Sequence, residues 1–115
     1  MKDCSFNYVR THRERHALTV DELGHLTGHA SSGITKIEGG DRMPSLAVAL
    51  GLQVIFGLAP REMFPDYFGC IEEAVMRRAK ALYDEIAEQT DRRSVAKRAL
   101  FDSMPGSSDP DDIEL

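Results

Sequence analysis

Apolar residues recur along the chain at three- and four-residue intervals almost everywhere, and no stretch alternates strictly. The pattern therefore predicts helices. A first helix covers about residues 5–16, with Phe6, Val9 and His12 on one side. Thr19 then stands directly before Val20-Asp21-Glu22-Leu23. A side-chain oxygen at a helix start, answered three residues later by Glu22, is a capping box. Leu23 and Leu26 supply that helix's inward face, and Gly28 ends it. The next helix, 31–38, buries Ile34 and Ile37 and stops at Gly39-Gly40. Ser45 caps a helix with a broad apolar stripe of Leu46, Ala49, Leu50, Val54 and Ile55, closed by Gly57. Pro60 begins a brief turn through Phe64, and Pro65 interrupts it. A long helix over about 66–89 carries Ile71, Val75, Leu82 and Ile86 close to a heptad seam. Asp91 caps a final helix with Val95, Ala99 and Leu100. The fold class is all-α.

Composition changes this picture in three places. The chain has 115 residues, 42% of them hydrophobic, which suffices for a core. Its formal net charge of −5 is unevenly spread. Residues 1–64 carry seven Lys/Arg and seven Asp/Glu, whereas residues 65–115 carry seven and twelve. An anion-binding surface is therefore expected in the first part, and the acidic end from Pro105 reads as a disordered, solubilising tail. The two cysteines, Cys4 and Cys70, lie far apart without a metal-ligand or C-x-x-C spacing, and they read as reduced thiols. With neither a secretory apolar stretch near Met1 nor a run of roughly 18 apolar residues, the expectation is a cytoplasmic protein without membrane association.

The helices 20–27 and 31–38 carry the functional signal. A short capped helix, a glycine turn and a second short helix with two buried isoleucines form a helix-turn-helix, which projects the outer face of its second member. That face offers Ser31, Ser32, Thr35 and Lys36, hydrogen-bonding groups suited to a major groove about 12 Å wide. The run Val9-Arg10-x-x-Arg13-x-x-x-Ala17-Leu18-Thr19-Val20-Asp21-Glu22-Leu23-Gly24 resembles the opening of the lambdoid phage-repressor type of helix-turn-helix regulators. Gly28 to Gly40, Pro44-Ser45-Leu46 and Ala49-Leu50 continue the likeness in register, over about residues 7–64.

The resemblance implies a five-helix domain, residues 1–64, that binds double-stranded operator DNA as a homodimer. It places Ser31 and Ser32 where family members read bases, with Thr35 and Lys36 next along the helix. Val20 matches a position often held by a phosphate-binding Gln, and Arg42 lies in a loop that often approaches phosphate; Arg10 adds a further candidate phosphate contact. Arg13 and Glu38 match a pair often coupled across two helices, and a bidentate contact between them would fix the helix crossing. The chain departs from the family at Val20, at Ser31 (shorter than the common amide), at Asp41, and at His12, Thr27 and His29, which replace apolar groups.

Other chemistry is weaker. His12/His16 and His25/His29 have a zinc-compatible four-residue spacing, yet nothing completes either set, so no metal site and no cofactor are expected. Neither Ser31 nor Cys70 has a base and an orienting group at a recognisable spacing, so no catalysis is expected. Residues 65–104 read as a helical extension that dimerises through Ile71, Val75, Leu82 and Ile86. The sequence thus reads as a transcriptional regulator, a repressor by analogy with domains that act by occlusion. The alternative is an interaction module, such as an antitoxin or regulatory subunit, that holds a protein partner through its C-terminal helices.

Overall fold

The computed structural model describes residues 4–105. Among them are seven helices and no strand: α1 (Val9–Arg15), α2 (Val20–Thr27), α3 (Ser31–Glu38), α4 (Leu46–Phe56), α5 (Pro60–Met63), α6 (Pro65–Glu85) and α7 (Arg92–Ser103). No helix is long and apolar enough to cross a membrane among these residues. The proposed tail from Pro105 falls, after its first residue, outside the described residues. The chain divides into two compact units between Cys70 and Ile71, so the start of α6 belongs with the first unit.

The first unit is built on Val9, Leu23, Ile34, Ile37, Val48, Leu52, Met63 and Phe64, all buried, with Val20, Ile55, Phe56, Leu58 and Tyr67 packed around them. Local chemistry sets the helix ends. The Ser45 side chain accepts from Val48 N–H at the start of α4, and Gly57 closes α4 in the left-handed conformation at φ 74°. Pro60 occupies the first turn of α5, where its missing N–H costs nothing. Pro65 begins α6 rather than interrupting the chain, for the same reason.

Several expectations are corrected. The first helix starts at Val9, not residue 5, because the preceding segment is tied to distant backbone: Tyr8 N–H donates to the Met63 carbonyl at 2.9 Å, and Asn7 Nδ2 donates to the Ile37 carbonyl at 2.9 Å. Phe6 is half exposed, edge-on to Tyr8. Leu26 faces outward, and α2 turns Leu23 and Gly24 inward. In α4 the core takes Val48, Ala49 and Leu52, leaving Leu46, Leu50 and Val54 at 73%, 47% and 85% exposure. Cys4 and Cys70 are not free thiols: they form a disulfide with Cα atoms 6.3 Å apart.

In the second unit, α6 ends at Glu85 rather than Gln89. Asp91 caps α7, its carboxylate accepting from Ser94 N–H at 3.2 Å, and hydrogen bonding from the Ser94 side chain, then from its backbone, holds the Asp91 pKa below the usual carboxylate value. Ser94 is the residue α7 buries, and it donates to Gln89 Oε1 at 2.8 Å. Val95 and Leu100, two of the apolar residues this helix carries, are exposed. Ile86 and Ala79 are buried, and Arg98 reaches back to donate to the Ile86 carbonyl.

Candidate nucleic-acid interface

The α2–turn–α3 unit is assembled by short-range bonds. Thr19 Oγ1 accepts from Glu22 N–H at 3.0 Å, and Glu22 Oε1 accepts from Thr19 N–H at 2.8 Å, a reciprocal pair that seals the start of α2. Gly28 ends α2 at φ 72°, and His29 N–H returns to the Gly24 carbonyl at 2.8 Å. The turn backbone lies so close to α2 that a Cβ at Gly24 would sit 2.6 Å from the His29 carbonyl oxygen. Three residues, Gly28, His29 and Ala30, separate the helices. Ile34 and Ile37, each 1% exposed, anchor α3. Ser32, Thr35 and Lys36 remain exposed on its other side. Gly33 is buried, and the His29 ring fills the space a Cβ would need.

The sequence-derived site residues meet in part. Arg13 and Glu38 form a bidentate pair, Nε to Oε2 at 2.7 Å and an Nη donor to Oε1 at 3.1 Å. Arg13 also donates to the Leu18 carbonyl at 3.0 Å. Their side chains are only 12% and 7% exposed, and the carboxylate raises the Arg13 pKa further above its ordinary value. Beside this pair, a cleft of about 340 Å³ is lined by Arg10, Arg13, Val20, Thr35, Glu38 and Gly39. It gathers Arg10, Val20 and Thr35 at one place. Arg10 is exposed and pairs with Glu14 at 3.3 Å, whereas Val20 is half-buried against the core. Arg42 lies apart from this cleft, with a guanidinium nitrogen 3.5 Å from His29 Nε2.

Two contacts escaped sequence reasoning. Ser31 donates its hydroxyl proton to Asp21 Oδ1, bringing a carboxylate to the start of α3. With Asp21 and Glu22 in the first turn of α2, that helix start is acidic and its capped amide is already satisfied, so it is a poor phosphate site. The ten-residue separation of Asp21 and Ser31 has no periodic signature. Asn7 is the other, a buried side chain holding the end of α3 through Ile37. Its only signal was a polar residue beside an apolar run.

Two histidines meet an aromatic ring. His12 and His16 lie 5.8 and 5.7 Å from the Phe56 ring centroid. Burial, aided by the charges of Arg15 and His16, lowers the His12 pKa. No group of three or more His, Cys, Asp and Glu among the described residues is placed to hold a metal ion. The arrangement presents one short polar helix face with a single cation, Lys36, and guanidinium groups on either side. Comparison with protein-family models, with curated proteins and with solved structures gives no match.

Proposed function

We propose that the first unit is a sequence-specific DNA-binding domain that lays α3 in the major groove, working as a homodimeric transcriptional repressor. The observation that carries this reading is the division of α3 itself: Ile34 and Ile37 are committed to the core, and Ser32, Thr35 and Lys36 are presented outward on a rigid helix. Hydroxyl and ammonium groups meet base edges, where the groove offers acceptors and donors in a pattern that distinguishes all four base pairs. Arg10 and Arg42 supply phosphate contacts, which position the domain without reading sequence. The Arg13–Glu38 pair is structural and holds α1 against α3. With few cations on this face, affinity falls steeply as salt rises only to the extent that these few phosphates are neutralised.

The test is selection of bound fragments from random duplex DNA by the full chain, followed by substitution. Lys36→Ala should weaken binding to the selected sequence by about 1–3 kcal/mol. Arg42→Ala should weaken binding to all sequences evenly and reduce the salt slope. Unchanged affinity across substitutions at Ser31, Ser32, Thr35 and Lys36 removes the assignment. The second reading, a module that binds a protein partner, is favoured by the Asp21 carboxylate at Ser31 and by the acidic start of α2. Absence of enrichment in the selection, even at low salt, favours it.

A further inference from the structure

The segment leading into α1 acts as a clasp. Ser5 packs on Gly40, where a Cβ would come within 2.6 Å of the Ser5 Cβ and 2.9 Å of its carbonyl oxygen. Gly40 adopts φ 83°, so glycine is needed there on two counts. Asn7 Nδ2 donates to the Ile37 carbonyl at 2.9 Å, and Asn7 Oδ1 accepts from Val9 N–H at 3.1 Å. Tyr8 N–H donates to the Met63 carbonyl. Residues 4–8 thus brace the C-terminal end of α3 and the end of α5. At the head of this segment Cys4 is bonded to Cys70 in α6, and both residues are half-buried, neither sealed in the core.

We propose that Cys4 and Cys70 are a reversible thiol–disulfide exchange site whose oxidation state sets how firmly residues 4–8 clasp the end of α3. Its reactant is a dithiol reductant, and the geometry of the first unit carries the proposal independently of what α3 binds. A thiolate of the dithiol attacks one sulfur, and the Cys4–Cys70 bond breaks as a mixed disulfide forms. The other cysteine leaves as a thiolate and takes a proton. The second thiol of the reductant then attacks the mixed disulfide, forming its own disulfide and freeing the remaining cysteine. Two electrons pass to the protein. Once reduced, residues 4–8 lose their covalent tie to α6 while the Ser5, Asn7 and Tyr8 contacts stay, and the amides at the end of α3 open more readily.

The experiment uses the full chain, dithiothreitol as the dithiol, alkylation with mass analysis, and amide hydrogen exchange. Before reduction, neither cysteine should alkylate; afterwards both should, and reoxidation with oxidised glutathione should restore the first state. On reduction, exchange at Tyr8, Gly40 and Asp41 should rise about tenfold, with Leu23 unchanged. A Cys4→Ser/Cys70→Ser variant should show the reduced pattern and no response to dithiothreitol. Alkylation of both cysteines without reductant, or identical exchange in the two states, overturns the proposal.

Discussion

At the scale of single residues, two charged groups govern the first unit. Arg13 makes three hydrogen bonds in a nearly dry position, two to Glu38 and one to the Leu18 carbonyl. Removing the partner's charge leaves a largely desolvated guanidinium without its bidentate carboxylate, which costs about 3–5 kcal/mol. Glu38→Gln should lower unfolding free energy by that amount in urea titration, and Arg13→Lys should not be benign, because an ammonium cannot reproduce the two parallel bonds. His12 responds to pH. Its pKa lies below the ordinary imidazole value, first because burial disfavours the cation, then because Arg15 and His16 repel it. The unfolded chain therefore binds the proton more readily than the folded one near pH 6.5. The contribution is fully present above that pH and is lost as pH falls through the unfolded value toward the folded one. Thermal melts between about pH 5 and 8 should show this loss, and His12→Gln should remove that part of the slope.

Among the elements, α2 and the turn depend on Gly24, where a Cβ meets backbone rather than a movable side chain. Gly24→Ala should destabilise by about 1–3 kcal/mol despite the better helix propensity of alanine, measurable as a lower urea midpoint with an unchanged slope. What the sequence made legible follows from the same distinction between local and distant causes. The caps at Thr19, Ser45 and Asp91 are satisfied within three residues, so their chemistry is written in the adjacent sequence. The inward face of α4 was not legible, since ten of its eleven residues, all but Gln53, are glycine or apolar and every face looks alike. The start of α1 was hidden for another reason. It is set by partners elsewhere in the chain, the Ile37 and Met63 carbonyls. In the candidate site, the outward position of Ser32, Thr35 and Lys36 followed from the spacing of Ile34 and Ile37, whereas the Asp21 carboxylate at Ser31 depends on how two helices cross.

For the whole molecule, one covalent and one apolar feature matter most. The Cys4–Cys70 bond encloses the α1–α5 sequence, with a separation of 66 residues, and in the chain-entropy picture such a loop contributes about 4 kcal/mol by restricting the unfolded state. The thiols expected from spacing alone thus become a cross-link once the fold brings α6 back to the chain's beginning. The proposed assembly draws on the second unit. Ile71, Val75 and Leu82 are 44%, 44% and 43% exposed, and their positions fall within about 40° around the axis of α6. Ile86 is already buried and adds nothing to an outer stripe. Arg78 lies on the same side by helical angle, so a paired α6 must let its charged head reach water past its neighbours, as long cationic side chains do. If this stripe joins two copies, Val75→Glu should place two carboxylates in an apolar seam and weaken association at least about tenfold in sedimentation equilibrium, a loss of about 1.4 kcal/mol. The folded first unit, judged by its own melting, should be unaffected because Val75 lies beyond its boundary. A chain that sediments as a monomer at micromolar concentration before any substitution would instead remove the dimer and leave the stripe without that role.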